Sequence, residues 1–119
     1  MKMYEIESVN ILGVPYKLEF VPYIEIEDEL SQNTGLNLEL QGLCDTDDKI
    51  IYINNTISEK QQIITMRHEL IHSFLYESGL NSCSLSTVGG WAVNEEMVDF
   101  FALQWVKINK VFNELGLVE

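Results

Sequence analysis

The only two histidines of the chain, His68 and His72, stand four positions apart inside a stretch without glycine or proline that runs from Ser58 to Ser78. Ser58, with Gln61 three residues on, has the signature of a reciprocal N-terminal cap, and Gly79 is suited to ending a helix. Together these signals predict a helix over 58–78. Ile63, Met66, Leu70 and Phe74 fall on one side of it and are expected to be core. Gln62, Thr65, Glu69, Ser73 and Tyr76 follow a polar strip alongside. The rest of the chain has to supply the surface that buries the apolar side.

Upstream, Tyr4 to Ile24 has a β-like pattern, with Val9 to Leu12 and Tyr16 to Phe20 flanking Gly13-Val14-Pro15, and predicts a hairpin. Acidic Glu25 to Leu30, ended by Asn33-Thr34-Gly35, predicts a short helical turn or loop. Leu38 to Leu43, the turn-forming Asp45 to Asp48, and Lys49 to Asn54 predict a second hairpin. After a Ser-, Asn- and Gly-rich loop over 81–90, a second helix is expected from about Val93 to Leu115, stopped by Gly116. With 119 residues, 46% of them hydrophobic, the chain is expected to form a single α+β domain over 1–119. Antiparallel hairpins would pack on the histidine-bearing helix and on a C-terminal helix.

Charge narrows the choice of partners. Seven basic residues, of which Arg67 is the only arginine, face nineteen carboxylates, for a net charge of -12. That balance offers no basic footprint for a phosphate backbone, so nucleic acid is not an expected partner. It equally disfavours an anionic membrane surface, and no apolar run approaches the roughly 20 residues needed to span a bilayer. The N-terminus has no apolar leader pattern, and the two cysteines, Cys44 and Cys83, do not form a close pair. Cytoplasmic residence with reduced thiols is the corresponding expectation.

The chemistry lies in His68-Glu69-Leu70-Ile71-His72. At about 3.6 residues per turn, both imidazoles project from one side of the helix and can reach a single ion at about 2.0–2.1 Å. Glu69, rotated about 100° from His68, lies beside such an ion without binding it, as a general base would. A catalytic Zn²⁺ takes three protein ligands and one exchangeable water. The third ligand is open among Glu95, Glu96 and Asp99 on the second helix, Cys83 in the loop, and Glu77, which lies too far along the first helix to converge easily.

Asn94, Glu95 and Asp99, with the Asp four positions after the Glu, resemble the third-ligand helix of thermolysin-type gluzincins. The resemblance implies that Glu95 is the third metal ligand and that Asp99 orients a ligand histidine. Glu95 and Asp99 also share a helical face, and metal-bound imidazoles usually donate their other N–H to such a carboxylate. In size and order of elements the chain is similar to the ImmA/IrrE-like group of small bacterial and phage metallopeptidases. An Ile51-Tyr52-Ile53-Asn54 strand precedes the motif helix, and Glu95 to Ala102 resembles that group's Glu-x-x-Ala-Asp/Asn-x-Phe-Ala signature. The likeness covers roughly residues 49–106. Ile71 stands where the group commonly has Gly or Ala, the group's Leu-Leu-x-Pro continuation is missing, and no helix-turn-helix segment is visible.

What the resemblance implies is a zincin-like fold and a zinc peptidase acting on a protein or peptide, with regulatory proteins as natural substrates. It also implies an extended substrate lying against an edge strand, for which Lys49 to Asn54 is the candidate. The oxyanion has no third histidine to stabilise it, which leaves Tyr76 as the candidate donor. Arg67 is expected in a surface or cross-helix salt bridge. The alternative function is a non-catalytic zinc-containing interaction module, which Cys83 as a fourth ligand would favour.

Overall fold

A computed structural model describes residues 2–22, 24, 40–79 and 94–117. The expected turn at Glu25 to Leu30 and the loop carrying Cys83 lie outside those residues. Among the described residues the fold is α+β, a four-stranded mixed sheet with a 3-10 turn at Met3–Glu5 and two α-helices. Strands β1 (Ser8–Ile11) and β2 (Val14–Val21) form the first hairpin, with Val9 opposite Tyr16. Its turn places Leu12 and Gly13 at positive φ, and the Asn10 side chain accepts the Gly13 N–H at 2.7 Å. Strands β3 (Gly42–Asp45) and β4 (Ile50–Asn54) form the second, and Asp45 Oδ1 closes its turn by accepting the N–H groups of Asp47 and Asp48.

The expectation of an antiparallel sheet is corrected where the hairpins meet. β2 pairs with β4 in parallel, with Leu18 opposite Ile51 and Phe20 opposite Ile53, giving the order β1-β2-β4-β3. β4 is therefore the inner strand of its hairpin and β3, among the described residues, its free edge. The reason is burial. Ile51 and Ile53 have no solvent exposure, and an apolar run like Ile50-Ile51-Tyr52-Ile53 gains most when strands cover both of its sides. Burying each isoleucine side chain is worth about 1.5–3 kcal/mol.

Helix α1 (Glu59–Glu77) lies across β3 and β4, and α2 (Glu95–Glu114) packs on α1. Ser58 caps α1 by accepting the Gln61 N–H at 3.1 Å. The Gln61 side chain does not return to Ser58 but reaches Gln41 Oε1 at 3.0 Å, which ties the helix start to the edge strand. At the other end Gly79, at φ +85°, donates to the Tyr76 carbonyl. The core joins Ile11, Tyr16, Leu18, Ile51 and Ile53 of the sheet to Met66 of α1, with Leu70 beside them. Among the described residues no helix is long and apolar enough to cross a membrane.

The side of α1 that meets the sheet is only in part the one its hydrophobic residues predict, since Met66 and Leu70 join the core and Ile63 and Phe74 do not. Thr65, Met66, Glu69 and Ser73 are buried, whereas Ile63 and Phe74 are 39% and 43% exposed. Small side chains allow the helix to approach the strands closely. Ser73 is satisfied there without a distant partner, its hydroxyl donating to the Leu70 carbonyl at 2.7 Å. Phe74 instead lines an apolar groove between α1 and α2, together with Leu70, Met97, Phe101 and Trp105. Arg67 borders the same groove and forms no ion pair among the described residues, which corrects the expected salt bridge.

Candidate metal centre

The N-terminal turn of α2 is brought over the middle of α1 by the packing of Val98 and Ala102, both buried and one helical turn apart. Asn94 caps that turn, its Oδ1 accepting the Met97 N–H at 2.9 Å. This sets Glu95 above the two histidines. Its Oε2 is 3.0 Å from His68 Nε2 and its Oε1 is 3.0 Å from His72 Nε2. The two Nε2 atoms are themselves 3.1 Å apart. His68, His72 and Glu95 each offer one ligand atom, all within 4.8 Å of one another. Glu96, Asp99 and Glu77 are not part of that cluster, and Cys83 lies outside the described residues.

Asp99 takes a different place. Its Oδ1 is 2.6 Å from His68 Nδ1, the nitrogen that faces away from the cluster. If Nδ1–H donates to Asp99, Nε2 of a neutral ring presents its lone pair to Glu95 and to His72. Satisfying every contact with protons would require His68 to carry one on both nitrogens. A divalent cation at the meeting point removes the conflict, because two imidazole lone pairs and a carboxylate are a donor set that zinc accepts. The residues present therefore fit a metal.

Glu69 is beside this cluster and not in it. Its Oε1 is 4.0 Å from His68 Nε2, and the residue is only 8% exposed. Burial pushes its carboxyl up to about 7; His68 and the Cys44 backbone N–H facing it pull the other way, and the Glu95 charge adds to the rise. A cation held by the three donors would oppose that rise.

The centre opens into a cleft of about 530 Å³ whose far wall is the free edge of β3, at Gly42, Leu43 and Cys44. The sequence expectation placed a substrate strand on Lys49 to Asn54. That is corrected here, since β4 is paired on both sides and β3 alone borders the cleft. Tyr76 also lines the cleft, with the Lys49 ammonium 4.7 Å from its ring. Glu77 is engaged elsewhere, accepting from Lys49 Nζ at 2.6 Å and from the Tyr16 hydroxyl at 2.7 Å. These two bonds hold its carboxyl below the usual range, Lys49 contributing most.

Sequence reasoning passed over Gly42 and Cys44. One signal was available for Gly42: a glycine inside a strand marks a bulge or a close approach of another backbone or ligand. Burial pushes the Cys44 thiol up to about 12, so it stays protonated against the core. The chain matches no protein-family model, no curated protein and no solved structure.

Proposed function

We propose that the chain is a zinc-dependent peptidase of minimal gluzincin design, with a zincin-like fold resembling the ImmA/IrrE-like group. The observation that carries this reading is the convergence of His68, His72 and Glu95 on one point, with the Glu69 carboxylate next to that point and outside the donor set. Structural zinc sites close their fourth position with a Cys or His and have no use for an adjacent free carboxylate.

In this reading His68 Nε2, His72 Nε2 and a Glu95 oxygen hold Zn²⁺, which when bound supplies Lewis acidity to a peptide carbonyl and acidifies water. Asp99 holds the His68 Nδ1 proton, so that Nε2 is the ligand atom. Glu69 takes a proton from the attacking water on its carboxylate and returns it to the departing amine. The Cys44 N–H and the walls of the cleft keep that carboxylate in place and partly dry. An extended peptide pairs with the free edge of β3, and Tyr76 is the candidate donor to the oxyanion. Cytoplasmic residence belongs to the same proposal, and the free thiol of Cys44 is compatible with it.

Purified protein should hold about one zinc per chain. Glu69→Gln should keep the metal and lose cleavage of a mixture of unstructured peptides read by mass spectrometry. Cleavage at the wild-type rate by that variant would refute the mechanism. A non-catalytic interaction module is the second reading, and the exposed Phe100, Leu103 and Val106 of α2 favour it. It requires a wild-type protein that binds zinc and cleaves nothing.

A further inference from the structure

Gly42 sits where β3 lies close against α1. A Cβ built on it would lie 2.5 Å from Thr65 Cγ2, 3.1 Å from Glu69 Cγ and 3.3 Å from the Tyr52 carbonyl. Carbon atoms rest at about 3.5–4.0 Å, so even the smallest side chain would drive strand and helix apart by about 1 Å. The pairing of β3 adds a second element. Gln41 turns its carbonyl to β4, accepting from Asn54, and alternation along the strand then directs the peptide groups of Gly42 and Cys44 to the free edge. On that edge the Cys44 N–H faces the Glu69 carboxylate. The Glu69 stem is thus pressed against Gly42, and its head lies by the next outward N–H of the same strand.

We propose that Gly42 is the positioning residue of this centre: the absent side chain lets β3 close on α1, which clamps the Glu69 stem and sets its carboxylate between the Cys44 N–H and the histidine pair. The proposal rests on the reading of Glu69 as the proton carrier. A glycine inside a strand ordinarily weakens it, through backbone entropy and the lack of a side chain to pack. That cost is offset here by an approach that no other residue permits. Thr65 is the neighbour that decides the outcome, because its γ-methyl takes most of the overlap and its β-branched side chain is confined to two rotamers on a helix.

The test compares wild type, Gly42→Ala, Thr65→Ser and the double variant. In the metal-free proteins the readout is hydrogen exchange at the Cys44 amide. In the zinc-loaded proteins it is zinc content, together with kcat and KM on the peptide that wild type cleaves fastest. Gly42→Ala should speed exchange at Cys44 about tenfold and lower kcat about 100-fold, with KM and zinc content unchanged. Removing the obstructing methyl in Gly42→Ala/Thr65→Ser should return both exchange and kcat to the wild-type range, and Thr65→Ser alone should leave them there. Wild-type exchange and kcat in Gly42→Ala, a loss that Thr65→Ser does not reverse, or failure of both Gly42 variants to fold would overturn the proposal. A wild-type protein that cleaves no peptide would sink the peptidase reading instead, and Cys44 exchange would still decide whether Gly42 sets the strand.

Discussion

Replacing Asp99 with alanine removes the carboxylate held 2.6 Å from His68 Nδ1 and leaves all three donors of the cluster in place. The Asp99 side chain is 62% exposed. In the metal-free protein its pairing with His68 is therefore a surface interaction, worth about 0–1 kcal/mol and screened by salt. Zinc binding asks more of it. Asp99 then fixes which ring nitrogen carries the proton and how the ring is oriented, and losing such a partner weakens metal affinity about 10–100-fold. That corresponds to about 1.4–2.7 kcal/mol, and the stabilisation that zinc confers on the fold should fall by a similar amount. Competition with a chromophoric chelator measures the affinity, and urea unfolding with and without zinc measures the stability. Glu96→Ala, on the same turn but outside the cluster, should change neither. Wild-type zinc affinity in Asp99→Ala would refute the reasoning. So would a loss of metal-free stability as large as the loss measured with zinc.

Two further outcomes follow from the packing. Because Lys49 and Tyr16 hold the folded Glu77 carboxyl below its unfolded value, near about 4.3, their contribution to stability is complete above that value and lost as pH falls through the lower folded one. Thermal unfolding of metal-free wild type and Glu77→Gln should accordingly differ at neutral pH and converge in acid, and parallel curves down to low pH would contradict the assignment. Ile53→Ala removes a fully buried side chain from the inner strand and should cost about 2–5 kcal/mol by urea unfolding. A loss below about 1 kcal/mol would mean that β4 is not sandwiched between β2 and β3 in solution.

Much of the centre is legible in the sequence. Helical periodicity alone puts His68 and His72 on one side and turns Glu69 aside. The expected helix ends, Ser58 at the first and Gly116 past the second, lie within two residues of the observed boundaries. Both hairpins were legible too, because turn chemistry at Gly13 and at Asp45 is local, although β3 runs over Gly42–Asp45 and not over the expected Leu38 to Leu43. The third ligand was harder. Composition left several acids open, and only the crossing of α2 over α1, set by Val98 and Ala102, brings Glu95 to the histidines while placing Asp99 behind one of them.

What the sequence determined by itself is what neighbours along the chain decide: helix periodicity, caps, turns and the identity of the donor residues. Which strand is the edge, which side of α1 is buried and which acid completes the cluster depend on contacts between residues far apart in the chain. Ile51 and Ile53 draw two strands around β4 and leave β3 free. Gly42 and Thr65 then let that edge close on a polar side of α1 that hydrophobicity alone assigns to solvent. Local rules count a side chain's own preferences, whereas burial at Glu69 is set by the space that Gly42, more than twenty positions earlier, leaves unfilled.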